Sequence, residues 1–166
     1  MKFVTPDQVR GDSMSMKNII LILENIRSCF NVGAIFRSAE ALGISEIWTV
    51  GFTPRPGDAA LAKTALGAEK LVKHRHFETI EAALESCEAL GAPIIALETS
   101  PEATPLNDFK PKLPLALIVG NEVTGVSDIA LRAATEIVAI PMRGKKESLN
   151  VAVAASIALY SLTLNK

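Results

Sequence analysis

Residues 115–125 read Leu-Ala-Leu-Ile-Val-Gly-Asn-Glu-Val-Thr-Gly, an apolar run followed by a turn between two glycines. An apolar run of this length, bounded by turn residues, predicts a buried strand. A second apolar run, Glu136–Ile140, leads into residues 140–150, which read Ile-Pro-Met-Arg-Gly-Lys-Lys-Glu-Ser-Leu-Asn. Because ligands bind at the carboxyl ends of parallel strands, the two loops predict one site built from neighbouring strand ends.

Segments of strand and helix character alternate along the rest of the chain. Asn31, Ser127 and Ser148 have the side chains of helix N-caps. The alternation predicts an α/β fold with a mostly parallel sheet and helices on both faces. The predicted strands are residues 19–23, 46–50, 71–72, 93–97, 115–119 and 136–140, and the predicted helices are 32–42, 59–68, 79–90, 128–134 and 149–164.

The chain has 166 residues, which predicts a single domain, 1–166, with residues 1–17 as a variable lead. Of these residues, 49% are hydrophobic, and the helix predicted at 149–164 is apolar nearly all round, so we expect a subunit interface. No apolar run is long enough to span a membrane, and residues 1–17 do not resemble a secretory signal. Cys29 and Cys87 are too few for a disulfide framework, which favours a reducing cytoplasm.

The formal net charge is −1, so overall charge gives no indication of nucleic-acid binding. Local basic patches remain possible binding surfaces, one at residues 70–76 and one at Arg143, Lys145 and Lys146. His74 and His76 have no partners at metal-ligand spacing, and we expect no metal site. A solvated basic stretch is the better interpretation of residues 70–76, with RNA contact second. Rossmann, P-loop and GxSxG motifs are absent.

Three polar constellations are candidates for the site. Arg37 lies off the apolar stripe of its helix and can grip a phosphate, although a solvated arginine with a routine asparagine cap at Asn31 is favoured on spacing alone. Glu122 is either a functional carboxylate at a strand end or a solvated turn residue. Ser148 and Asn150 can orient a hydroxyl, but a serine cap beside a solvated basic loop explains the same residue types.

Three segments in order resemble one family. Residues 25–43 (NIRSCFNVGAIFRSAEALG), 117–127 (LIVGNEVTGVS) and 140–160 (IPMRGKKESLNVAVAASIALY) are similar to the three motifs of the SpoU (TrmH-type) RNA 2′-O-ribose methyltransferases of the SPOUT superfamily. Residues 63–69 also resemble a segment common in that family. The resemblance covers residues 18–164 and implies a C-terminal trefoil knot (the alpha-beta knot), a homodimer and S-adenosylmethionine as cofactor.

The resemblance also implies roles for individual residues. The positions matching cofactor contacts or their neighbours are Leu97, Thr99, Gly120, Ile140, Met142, Ser148 and Leu149. The positions matching the catalytic motif residues are Asn31, Arg37, Glu122, Ser148 and Asn150. Arg37 matches an arginine placed beside the target ribose, often by the partner subunit. Our hypothesis is that Asn31 and Glu122 orient this arginine.

The reaction implied by the resemblance is transfer of a methyl group to a ribose 2′-hydroxyl. Many relatives carry an added RNA-binding part, and the smallest relatives, which resemble this chain in having none, act on tRNA. The expected substrate is therefore tRNA, with ribosomal RNA second. DNA has no 2′-hydroxyl and is not expected to react. Two alternatives remain open: a non-catalytic RNA-binding member of the fold, and a methyltransferase that acts on a base.

Overall fold

The computed structural model describes residues 17–164, except for the side chain of Lys17. The predicted N-terminal lead therefore lies almost wholly outside the described residues. The described part forms one seven-stranded sheet in which every strand pair is parallel, in the order β3-β2-β1-β6-β4-β7-β5. The strands are β1 (Lys17–Glu24), β2 (Ile44–Val50), β3 (Lys73–Phe77), β4 (Ile94–Leu97), β5 (Thr104–Pro105), β6 (Leu115–Val119) and β7 (Glu136–Ala139).

Helices cover both faces of this sheet, as the alternating pattern predicts. One apolar core lies between the sheet and helices α1, α2 and α5. A second core lies between the opposite face and helices α3 and α4. The helices are α1 (Cys29–Ala41), α2 (Ala59–Ala65), α3 (Ile80–Ala89), α4 (Asp128–Ala133) and α5 (Val151–Leu164).

The central strand was correctly placed by its composition. All five residues of β6 are buried, and the strand pairs with β1 on one side and β4 on the other. A strand covered on both faces needs apolar side chains in both directions, which explains the uninterrupted apolar run. The loop after β6 therefore opens at the middle of the sheet.

The third strand was predicted at the wrong residues. The structure places it at Lys73–Phe77, after a 3₁₀ turn at Ala68–Lys70, whereas Leu71 is 72% exposed. Within residues 17–164 this strand pairs only with β2, which places it at an edge of the described sheet, where polar side chains are tolerated. Arg75 covers the buried Trp48, with its guanidinium carbon 4.2 Å from the ring centroid and Nε 3.0 Å from Glu46 Oε1. The short β5 was not predicted.

Two of the three predicted helix caps were wrong. Helix α1 begins earlier than expected, and Ser28 Oγ accepts the hydrogen bond from the Asn31 backbone N–H. Helix α5 begins later, and Asn150 Oδ1 accepts from the backbone N–H groups of Ala152 and Val153. In both cases a serine and an asparagine compete for the cap, and the residue types alone do not decide between them. Ser127 caps α4 as predicted.

Helix α5 keeps one apolar stripe exposed. Its inner side, including Ala155 and Leu159, is buried against α1, and Ser38 Oγ and Ser156 Oγ lie 2.7 Å apart between the two helices. Among the helices of residues 17–164, none combines the length and apolar character that a membrane crossing requires. The exposed stripe consists of Val153, Ile157, Tyr160 and Leu164, at the spacing of a single helix face.

Candidate functional site

A pocket of about 310 Å³ lies at the carboxyl ends of β4, β6 and β7. Its walls come from the three loops that follow these strands and from the start of α5. All seven residues predicted to contact the cofactor lie in its lining, namely Leu97, Thr99, Gly120, Ile140, Met142, Ser148 and Leu149. Glu122 and Asn150 also line the pocket. The structure thus brings together residues separated by up to about 50 positions in sequence.

The turn after β6 approaches its own backbone too closely for any side chain at Gly120. A Cβ built on Gly120 would fall on the backbone of Gly125 and Val126. Asn121 closes the turn, because its Oδ1 accepts hydrogen bonds from the N–H groups of Val123 at 2.8 Å and Thr124 at 3.1 Å. The glycine therefore serves close backbone packing beside the pocket, as expected where a strand end meets a site.

Two carboxylates that were not predicted hold this turn from either side. Glu98, directly after β4, accepts hydrogen bonds from the N–H groups of Thr99 and Val126 at 2.8 and 2.9 Å. Glu24, at the end of β1, is 2% exposed and accepts from the Ser127 N–H at 3.0 Å. Each glutamate lies at the carboxyl end of a strand, and this position is the sequence feature that could have indicated a role near the pocket.

A chain of hydrogen bonds joins three of the predicted catalytic residues at the rim of the pocket. Asn31 Nδ2 donates to Glu122 Oε1 at 2.9 Å, and Asn150 Nδ2 donates to Asn31 Oδ1 at 3.0 Å. The two amide groups face each other across 119 positions of sequence. Because these contacts link α1, the β6 turn and the cap of α5, they fix the relative positions of all three motifs.

Glu122 is held in its charged form. Partial burial raises its pKa, but hydrogen bonds from the backbone N–H groups of Arg27 and Ser28 and from the Asn31 amide outweigh that effect. The net result is a pKa below the usual range for a glutamate. At neutral pH Glu122 therefore accepts hydrogen bonds and orients Asn31, and it does not supply a proton.

Ser148 and Arg37 stand apart from this chain of contacts. Ser148 lies in the pocket lining on a loop whose residues 141–150 are all exposed. Arg37 is six residues along α1 from Asn31 and lines a separate open groove with Ala34, Leu66 and Leu71. Within one chain no hydrogen bond joins Arg37 to Asn31 or Glu122, so the hypothesis that they orient it requires a second molecule.

Comparison with models of protein families identifies the family of this chain. The model of the SpoU rRNA Methylase family matches residues 18–160. The chain belongs to the SpoU rRNA methylase family. The match includes α1, the pocket loops and most of α5, so it contains every predicted site residue. The family assignment confirms the resemblance carried by the three sequence segments.

Individual SpoU relatives agree with the assignment. The chain is 31% identical over 143 residues to the tRNA (guanosine(18)-2′-O)-methyltransferase of Escherichia coli K12, which covers 86% of this chain and 62% of the relative. The fold of this chain matches the AdoMet-bound rRNA methyltransferase of Sinorhizobium meliloti with a TM-score of 0.81 at 26% identity. This match covers 87% of this chain and 55% of the Sinorhizobium meliloti chain. The chain thus spans about three fifths of the length of these relatives.

A second solved structure with the same fold is close to this chain in length. A protein solved in work on the 2-OH methylation of C/U34 on tRNA matches with a TM-score of 0.80 at 26% identity. The match covers 89% of this chain and 95% of that one. A chain of this size therefore occurs among solved members of the fold.

Proposed function

We propose that this protein is an S-adenosylmethionine-dependent RNA methyltransferase that transfers a methyl group to a ribose 2′-hydroxyl. The observation that supports the proposal best is the pocket at the carboxyl ends of β4, β6 and β7. It contains all seven residues expected to contact the cofactor, and three of the residues expected to act in catalysis are hydrogen-bonded at its rim.

The pocket has the size and character that the cofactor requires. A volume of about 310 Å³ lies within the range of small-molecule sites. Leu97, Ile140 and Leu149 provide apolar walls for an adenine ring, and the Gly120 turn allows close approach of the backbone. When bound, S-adenosylmethionine would supply a methyl group attached to a positively charged sulfonium. The rest of the cofactor is the leaving group, a neutral thioether.

The chain's own residues would position the nucleophile. The carboxylate of Glu122 orients the Asn31 amide, which in turn holds Asn150 at the mouth of the pocket. Ser148 and Asn150 then offer groups that hydrogen-bond a ribose hydroxyl. Arg37 holds the phosphate of the target nucleotide and helps to remove the hydroxyl proton, directly or through that phosphate.

Arg37 would reach the reacting ribose from a second subunit. The exposed stripe of α5, Val153, Ile157, Tyr160 and Leu164, is apolar and free of charge, as expected of a surface that pairs with a second copy of the chain. We therefore include a homodimer in the proposal. In such a dimer each Arg37 completes the site whose cofactor pocket belongs to the partner.

The remaining parts of the proposal follow the family. We propose that the loops after β4, β6 and β7 form the C-terminal trefoil knot, since these three loops meet around one pocket. We also propose that residues 1–166 form a single SpoU-type domain and that the protein acts in the cytoplasm without membrane or DNA partners.

The proposed substrate is tRNA, with ribosomal RNA as the second candidate. The Escherichia coli relative carries tRNA in its name, and the solved relative of similar length comes from work on tRNA. The Sinorhizobium meliloti relative is an rRNA methyltransferase, which supports ribosomal RNA as the second candidate.

Methyl transfer tests the proposal. The protein is incubated with S-adenosylmethionine labelled in the methyl group and with unmodified tRNA or ribosomal RNA. We expect label in tRNA at linkages that resist alkali, because a 2′-O-methyl group blocks alkaline cleavage. Label at alkali-sensitive linkages would contradict ribose methylation and favour a base. Cofactor binding with no label in either RNA would favour a non-catalytic RNA-binding protein.

A further inference from the structure

Helix α1 carries an exposed aromatic residue, Phe30, in line with Arg37. Phe30, Ala34, Arg37 and Ala41 are spaced by four, three and four residues, which places them in one line along the helix. We call this line the outer face of α1. Phe30 and Arg37 are two turns apart on it, about 10 Å along the axis.

Phe30 is exposed to a degree that its packing does not explain. It is 78% exposed, the highest value among the large hydrophobic residues described. Phe36 of the same helix is fully buried, so the two phenylalanines of α1 lie in opposite environments. An exposed ring near a candidate binding site can stack on an aromatic ligand.

The surroundings of Phe30 are those of a nucleic-acid contact. Arg27, three residues before it and ahead of the helix, is exposed, and Arg37 follows it on the outer face. The neighbouring carboxylate of Glu122 is engaged by hydrogen bonds from Arg27 N–H, Ser28 N–H and Asn31. Cations on both sides of an exposed ring suit a phosphate backbone with an unstacked base between its phosphates.

A second exposed ring lies on the adjoining loop. Phe52, two residues after the end of β2, is 62% exposed. Its loop is tied to the segment before α1, because Thr53 Oγ1 accepts a hydrogen bond from the Ile26 N–H at 3.0 Å. The two most exposed phenylalanines described therefore lie on connected segments at the carboxyl edge of the sheet.

The exposed stripe of α5 provides a contrast. Its four residues, Val153, Ile157, Tyr160 and Leu164, include three aliphatic side chains and no charge. The outer face of α1 instead combines an aromatic ring with an arginine. The α5 stripe fits a second copy of the chain, whereas the outer face of α1 fits a polyanion that carries aromatic bases.

We propose that Phe30 stacks on an unpaired base next to the nucleotide whose ribose is methylated, with Arg37 on the phosphate between them. This inference rests on the proposed function and adds a substrate-positioning residue to it. It predicts that the target lies in a single-stranded loop, because base faces inside a regular duplex are already stacked. Phe30 then contributes to RNA affinity and leaves cofactor affinity unchanged.

Binding measurements with a short single-stranded RNA of mixed sequence, and with the same strand in a perfect duplex, test the proposal. Phe30→Ala should weaken binding of the single strand about tenfold and leave duplex binding unchanged. Phe30→Trp should retain affinity and show quenching of its indole on RNA addition, against the background of the buried Trp48, the one tryptophan of the chain. Leu90→Ala, at a 55% exposed site before β4, is the matched control and should bind normally.

Several outcomes would overturn the inference. Normal RNA affinity in Phe30→Leu would show that an aromatic ring is not required, and equal losses for single strand and duplex would exclude stacking. Dissociation of the dimer by Phe30→Ala would assign the face to a second copy of the chain. If the wild-type protein transfers methyl groups and Phe30→Ala binds RNA normally, only this inference fails. If the wild-type protein neither binds RNA nor transfers methyl groups, the proposed function fails with it.

Discussion

The pocket at the carboxyl ends of β4, β6 and β7 is enclosed by residues of a single chain. The outer face of α1, in contrast, is open to solvent. Three loops enclose the pocket, and Glu24, Glu98 and Asn121 tie the central loop in place. Arg37, on the outer face, makes no hydrogen bond or ion pair within residues 17–164. On the proposed function, one chain builds the cofactor half of the site and other molecules complete the RNA half.

The largest expected effects are losses of activity that have different causes in the cofactor half and the RNA half of the site. Arg37→Ala should lower methyl transfer about a thousandfold or more, since a charged group at the reacting centre is lost, and leave cofactor affinity unchanged. Leu149→Arg should remove cofactor binding, because a long charged side chain then enters an apolar wall of the pocket. Titration calorimetry with S-adenosylmethionine and the methyl-transfer assay distinguish them. Loss of cofactor binding in Arg37→Ala would contradict the division.

The next effect concerns the stability of the pocket. Gly120→Ala should destabilise the fold by about 1–3 kcal/mol, because the new Cβ falls on the backbone of Gly125 and Val126, which has no room to move. Gly144→Ala is the control, since its Cβ meets no atom within 4 Å. Urea unfolding of both variants measures the difference. Equal stabilities would show that the turn after β6 is not tightly packed.

A smaller effect separates the two candidate caps of α5. Asn150→Ala should cost about 1 kcal/mol, because it removes the acceptor for the Ala152 and Val153 N–H groups. Ser148→Ala should leave stability unchanged, since Ser148 is exposed and makes no hydrogen bond within the part of the chain described. Thermal unfolding compares the two. A larger loss for Ser148→Ala would restore the cap predicted from sequence.

The smallest effect is the pH dependence of Glu122. Its folded pKa is below the unfolded value of about 4.3, so its hydrogen bonds stabilise the fold above that pH and less as the pH falls through the folded pKa. Glu122→Gln should therefore be less stable than wild type at about pH 7, by under about 1 kcal/mol because the side chain is exposed. The difference in stability between the two proteins should shrink as the pH falls below about 4.3. A constant difference would contradict the assignment.

Much of the fold was predictable because the strongest signals are local. The apolar run of β6 and the alternation of strands with helices set the class and the layers correctly. The edge strand β3 was placed at residues 71–72 because Lys73–Phe77 is polar, and its pairing on one side only within residues 17–164 is a property of the whole sheet. Two helix caps were predicted wrongly because the competition between Ser28 and Asn31, or between Ser148 and Asn150, is decided by distant partners.

The candidate site was predictable to a different extent in its two halves. The rule that ligands bind at strand ends, with the motif resemblance, selected residues that the structure places in one pocket. It did not select Glu24 or Glu98, because the sequence around these glutamates does not indicate which backbone N–H groups donate hydrogen bonds to them. Phe30 was also passed over, because its exposure depends on which face of α1 packs inward.

The most direct test of the divided site mixes two inactive variants. Arg37→Ala and Leu149→Arg are unfolded together, refolded and assayed for methyl transfer to tRNA. If Arg37 acts on the pocket of the partner subunit, a mixed dimer of two-fold symmetry contains one intact site. Random pairing should then restore about a quarter of wild-type activity. No activity above that of the separate variants, despite mixed dimers in the sample, would contradict a site shared between two chains.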